Sequence, residues 1–280
     1  VEAERLRPAV ETARARLAEL DDLRAPVVEA EVTTTPPSAS DLELHGVVAG
    51  WDSSLTRPVS VHLTEGHVVG LSGDSGVGKS TLALTLVKLI PPRWGTIALG
   101  GIDYRDLDGH AIRATIGLCG QDDVLFDTTI RENLRIADPS ADGDTLRAAL
   151  ARVGLGSLLT RMPAGLDTPI GNHGSSLSGG ERQRLAMARL LLGDHKVLIF
   201  DEPTEHLDHD AADQMLADIL SLRRDHAIVL ISHSTRVLAA CDQVVRVVSP
   251  YDAPSPPVRR GEPAFSPADR DTTAFENVPT

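Results

Sequence analysis

The 280-residue chain is predicted to be an α/β protein built on a largely parallel sheet. The short β-rich runs "HVVGLSG", "ATIGLCGQ", "KVLIFD", "AIVLIS" and "QVVRVV" alternate with helical stretches between residues 41 and 248. Strands separated by helices in this way build parallel crossover units. The run "VLIF" (197–200) is apolar at every position instead of every second one, the pattern of a strand covered on both faces. From about 128 to 192 the chain turns helix-rich with no strand pattern, so a helical subdomain is expected to be inserted into the sheet domain.

Outside that region the character changes. Leu6, Val10, Ala13, Leu17 and Leu20 recur at alternating steps of four and three, which lines one face of an amphipathic helix over 1–24. Residues 25–40, ending in "TTTPPSAS", read as a linker. From 250 to 280 the chain is rich in Pro, Asp, Arg and Ser and poor in large aliphatics, and a disordered tail is expected. The 41% hydrophobic content suffices for a substantial core, and the net charge of −13 argues against broad binding to nucleic-acid phosphates. Cys119 and Cys241 lack metal-ligand spacing and read as partly buried thiols of a reducing compartment. No run of about 18 apolar residues is present, so nothing in the sequence spans a membrane as a single helix. No signal-peptide pattern is seen, and a chain beginning with Val1 is expected to be a fragment of something longer.

The strand-like "HVVGLS" leads into "GDSGVGKST" (73–81), which fits the phosphate-binding pattern G-x-x-x-x-G-K-[ST] and opens the helix-like "TLALTLVKLI". Gly73, Gly76 and Gly78 allow backbone N–H groups to turn inward around phosphate oxygens, and Ser75 lies within the same loop. The helix N-terminus adds positive potential. Lys79 supplies a mobile charge for the β- and γ-phosphates, Ser80 offers a hydroxyl to Mg²⁺, and Thr81 helps hold phosphate. A nucleotide with Mg²⁺ is therefore the expected ligand. In that light the acids of "DEPTEHLD" (201–208) acquire roles. The strand "VLIF" delivers Asp201 to the carboxyl edge of the sheet, where an acid orients Mg²⁺. Glu202, one residue further, is placed to take a proton from an attacking water.

"LSGGERQR" (177–184) is similar to the signature of ATP-binding cassette (ABC) ATPases. The resemblance covers about residues 41–248 and implies a P-loop NTPase of the ABC cassette type over 41–249. Such a cassette has a RecA-like parallel-sheet core, an antiparallel β subdomain and an inserted α-helical subdomain. It further implies that Ser178, Gly179 and Gly180 grip the γ-phosphate of a nucleotide held by a second, head-to-tail domain. In the resemblance Gln121 of "IGLCGQ" matches the glutamine that touches Mg²⁺ and couples to a membrane domain. His233 of "LISHS" matches the switch histidine at the γ-phosphate, Asp208 an aspartate that communicates across the dimer, and Trp51 an aromatic that stacks on adenine. His206 and His209 lack the sequence partners a metal site needs.

Within the family, "GIDYRDLDGHAIRATIGLCGQDDVLFDTTIRENL" (101–134) and "GNHGSSLSGGE" (171–181) resemble the exporter pattern. That resemblance implies a transmembrane domain missing from this chain, with residues 1–24 extending its last helix, and places the domain at the cytoplasmic face of the membrane. Most exporters carry Ser-Ala where this chain has Glu205-His206, and the pair is similar to CydC-type subunits of heterodimeric CydDC exporters. The implied partner is a CydD-like subunit, or a second copy of this chain, and the implied cargo a thiol such as cysteine or glutathione, with a link to cytochrome bd assembly. Glu205-His206 is expected to say little about the chemistry itself. Two alternatives are a soluble ABC ATPase acting on DNA or ribosomes, and a binding-only cassette of a heterodimer. The first would need a basic surface, tandem cassettes or a coiled-coil insertion, none of which the sequence carries. The second is disfavoured by the intact motifs.

Overall fold

The computed structural model describes residues 41–249 apart from 52, 53 and 122. The expected helix over 1–24, linker over 25–40 and tail over 250–280 lie outside the described residues. The chain enters through β1 (Leu42–Val48), a short ladder of β2 (Gly50–Trp51) and β3 (Ser54–Leu55), and β4 (Val59–Leu63). Next come β5 (Val68–Ser72), α1 (Lys79–Leu86), β6 (Trp94–Leu99), β7 (Ile102–Asp103), α2 (Gly109–Thr115) and β8 (Ile116–Cys119). Helices then dominate: α3 (Ile130–Arg135), α4 (Gly143–Arg152), α5 (Gly156–Arg161) and α6 (Gly179–Leu192). The chain closes through β9 (Val197–Asp201), α7 (His209–Ser221), β10 (Ala227–Ile231), α8 (Thr235–Ala239) and β11 (Gln243–Arg246).

These strands form two main sheets. One is antiparallel in the order β4-β1-β6-β7, and the other is entirely parallel in the order β11-β5-β10-β9-β8. All five β-rich runs of the sequence became strands of the parallel sheet. Every residue of β9 and β10 is buried, as continuous apolar runs demand. Side chains alternate across a strand, so these two strands feed two cores at once. Leu198, Phe200, Ile228 and Leu230 pack toward α6 and the helical subdomain, while Val197, Ile199, Val229 and Ile231 pack toward α1 and the antiparallel sheet.

Register positions the site. Ile231 pairs with both Leu71 and Asp201, and Cys119 pairs with Phe200, so β5, β8, β9 and β10 end nearly level. The segments that follow them carry the glycine loop, Gln121, Glu202 and His233, so four loops distant in sequence leave from one edge. The expected helical insertion is present as α3 to α6. Its junction with the sheet is held by the fully buried Asn133. The Asn133 amide donates to the carbonyls of Phe126 and Thr129 at 3.0 Å each, and its oxygen accepts from Phe126 N at 2.9 Å. The segment just after Gln121 is thereby tied to the first turn of α3.

Phe200 is fully buried at the centre of this arrangement. Phe200→Ala is expected to lower the unfolding free energy by about 3–5 kcal/mol. The measurement is urea denaturation followed by circular dichroism, with a lower midpoint at an unchanged slope.

Candidate nucleotide site

The glycine loop owes its path to the absence of Cβ atoms. Gly73 has φ 151°, and a Cβ there would lie 2.3 Å from the Val247 carbonyl oxygen, on the strand end beside it. Gly78 caps α1 at φ 97°, left-handed backbone that non-glycine residues adopt with strain. Between them Ser75 and Gly76 stand exposed at the rim. Lys79 folds back across the loop, its ammonium donating to the Gly73 carbonyl at 2.8 Å and the Asp74 carbonyl at 3.1 Å. These residues, with Ser80 and Thr81, line a cavity of about 560 Å³ whose opposite wall is Gln121, Asp201, Glu202, Glu205 and His233.

Asp201 and Glu202 are 7% and 9% exposed at the sheet edge. Burial pushes the Asp201 carboxyl above its ordinary range. A hydrogen bond from the Ser80 hydroxyl and the Lys79 charge oppose the shift, while the Glu202 and Glu205 charges add to it. Adjacent residues of an extended strand point to opposite faces, yet both acids wall one cavity. The chain achieves this at Glu202, which has φ 49° and whose N–H donates to the Ile231 carbonyl at 2.9 Å. Such backbone in a non-glycine residue costs about 1–3 kcal/mol and persists where its surroundings hold it. Here they do. Ser232 Oγ donates to Glu202 Oε2 at 3.2 Å, Gln183 Nε2 donates to the Glu202 carbonyl at 3.4 Å, and His233 Nδ1 lies 3.0 Å from Oε1.

The donor set fits a nucleoside triphosphate with its cation. A Cβ-free loop at a helix N-terminus suits phosphate, and a buried carboxylate next to a hydroxyl suits a hard divalent ion. Ser80, Asp201 and Gln121 are the residues that would hold Mg²⁺.

Other residues predicted from the sequence stay away from this cavity. Trp51 is 52% exposed on the β2–β3 ladder and is not part of the wall. Ser178 caps α6 in a reciprocal box: its Oγ accepts from Glu181 N at 3.2 Å, and Glu181 Oε2 accepts from Ser178 N at 2.9 Å. Ser178 and Gly179 are exposed and Gly180 partly so, and of the three Gly179 lines a neighbouring cavity shared with Glu202 and Glu205. Asp208 is also exposed and caps α7, its Oδ1 accepting from Ala211 N at 2.8 Å. The sequence reading missed three contributors. Ser232 and Gln183 have no signal beyond adjacency to recognised motifs. The third is Glu205, which lines the cavity and accepts from Gln121 Nε2 at 2.6 Å.

The ABC transporter family model matches residues 56–205, more than half of the chain. The chain belongs to the ABC transporter family. This ABC domain is 36% identical over 186 residues to the ATP-dependent lipid A-core flippase of Neisseria meningitidis, covering 66% of the chain and 30% of the flippase. It is 36% identical over 248 residues to the mycobactin import ATP-binding/permease protein IrtB of Mycolicibacterium thermoresistibile, covering 86% of the chain and 42% of that protein. A solved bacterial Atm1-family ABC exporter with ATP bound matches at a TM-score of 0.77 and 29% identity, over 84% of this chain and 41% of the other. The ABC domain therefore spans less than half the length of each of these relatives. It has the ABC ATPase fold, and the family's cofactors are ATP and Mg²⁺.

The cap of the signature helix is testable by pH. The hydrogen bond from Ser178 N holds the Glu181 carboxyl below its ordinary 4.5, against partial burial and with help from Arg161. A depressed folded pKa adds stability above the unfolded value, and that contribution is lost as pH falls through the folded one. The thermal midpoint of the wild type is expected to fall more steeply than that of Glu181→Gln as pH is lowered from about 5 to about 3. Parallel curves for the two proteins would show that ionisation of Glu181 adds no stability to the box.

Proposed function

We propose that this domain binds MgATP, pairs head-to-tail with a second ABC domain and hydrolyses the nucleotide to power transport through a membrane-spanning partner. One observation carries the reading: Lys79, Ser80, Gln121, Asp201, Glu202 and His233 wall a single cavity at the carboxyl edge of the parallel sheet. The bound cation would draw charge from the phosphate oxygens. Lys79 and the loop N–H groups bind the β- and γ-phosphates. Glu202 accepts a proton from the water that attacks the γ-phosphorus as the bond to the β–γ bridging oxygen breaks. Ser232 holds one oxygen of that carboxylate and His233 the other, which aims it without lengthening its reach. His233, two-thirds exposed and at the cavity wall, stabilises the charge on the transferred group.

The exposed start of α6 supports the pairing. Ser178, Gly179 and Gly180 do not line the nucleotide cavity of their own domain, and we assign them to a nucleotide on a second domain. Trp51 is assigned to adenine stacking and Asp208 to contact across the pair. Among the described residues no helix is long and apolar enough to cross a membrane. The family supports a place for the domain at the cytoplasmic face, beneath a membrane-spanning partner domain. For cargo we propose a thiol such as cysteine or glutathione, with a CydD-like partner, on the strength of Glu205-His206. The relatives are transporters, so a soluble cassette acting on DNA or ribosomes is not favoured.

Glu202→Gln is expected to leave ATP affinity unchanged and to slow steady-state hydrolysis by about 10²- to 10⁴-fold. Unchanged hydrolysis would remove Glu202 from the mechanism. The cargo is tested separately, by ATP-dependent uptake of labelled glutathione or cysteine into inverted vesicles holding the domain with its membrane partner. Absence of thiol uptake alongside normal ATPase activity would overturn the cargo alone.

A further inference from the structure

We propose that Glu205 is a positioning residue that selects which end of the Gln121 carboxamide faces the metal and phosphate pocket. This rests on the reading that Gln121 serves the bound cation. A glutamine amide has two opposed ends: Nε2 only donates and Oε1 only accepts, and a cation can use only Oε1. Left alone, the amide turns freely between them. The Gln121 Nε2–Glu205 Oε2 bond, at 2.6 Å, removes that freedom. An ionised carboxylate accepts and never donates, so the flipped amide would set oxygen against oxygen. With Nε2 committed to Glu205, Oε1 is the end left for the pocket.

The geometry gives Glu205 the rigidity such a role needs. Its N–H donates to the Glu202 carbonyl at 3.1 Å, closing a turn between the left-handed residues Glu202 and His206. The turn grows directly out of β9, so Glu205 moves with Asp201 and Glu202. Gln121 comes from a different strand end and is exposed. Glu205 thus fixes an exposed, rotatable metal-facing amide to the element that carries the carboxylates. A serine at this position could both accept and donate and would exert no such selection.

The test separates metal coupling from nucleotide binding and from folding. Affinity for the non-hydrolysable analogue AMP-PNP is measured by calorimetry in Mg²⁺ and again in EDTA, for wild type, Glu205→Gln, Gln121→Leu and the double variant. Glu205→Gln keeps the shape but can both donate and accept. It is expected to lower the Mg²⁺-dependent gain in affinity about tenfold, as loss of an outer-shell partner does, with the EDTA affinity and thermal midpoint unchanged. Gln121→Leu should lower the gain at least as much, and the double variant should be no worse than Gln121→Leu alone. If Gln121→Leu lowers the gain and Glu205→Gln does not, the positioning role is wrong while the reading of Gln121 stands. If Gln121→Leu has no effect, the reading of Gln121 fails and the positioning role with it. A further loss in the double variant would mean that Glu205 acts on the cation directly, and would also overturn the proposal.

Discussion

The hydrogen bond from Glu202 N to the Ile231 carbonyl joins the ends of two central strands and holds Glu202 in left-handed backbone. The chemistry of the domain depends on that bond. Without the reversal, strand alternation would direct Asp201 and Glu202 to opposite faces, and one of them would leave the cavity. The reversal is kept in place by both neighbours of β9. The Ser232–His233 segment leaving β10 holds the carboxylate, and Gln183 on α6 reaches the carbonyl. Strain at this residue is therefore distributed over a packed region, and local relaxation cannot release it.

The same edge explains why so much of the machinery can come from loops. The central strands of the parallel sheet are buried on both faces, with Phe200 and Leu198 on one side and Ile199 and Val197 on the other. Level strand ends then place the glycine loop, Gln121, the acids and His233 within one cavity. The glycine loop is locked from outside as well: the Gly73 backbone lies so close to Val247 that no side chain fits between them. Precision at the phosphates is thus a property of strand register, and is lost only if the core yields.

One part of the domain stands apart from this economy. The signature helix begins in a well-formed capping box, and Ser178 and Gly179 at its start are exposed. An exposed helix start on a rigid helix, outside the wall of its own domain's nucleotide cavity, is the physical basis for proposing a head-to-tail pair. Gln121 stands at the other boundary, after β8 and before the segment that Asn133 ties to the helical subdomain. A tether from Gln121 to Glu205 would let movement of that subdomain be felt at the metal.

By itself the sequence determined the α/β class, the strands of the parallel sheet, the helical insertion and the residues of the phosphate loop, because each rests on local pattern. Continuous apolar runs mark doubly covered strands, and G-x-x-x-x-G-K-S marks a loop that must dispense with Cβ atoms. The antiparallel sheet had no such signal and came only through family resemblance, since its strands mix buried and exposed residues and carry no continuous apolar run. Glu205 shows the limit most directly. It read as a mark of kinship because its meaning lies in Gln121, 84 residues away in the chain. Tertiary structure alone brought the two together, by aligning the ends of β8 and β9. A hydrogen bond across separate loops depends on where strands end in space, and residue pattern along one strand does not encode that.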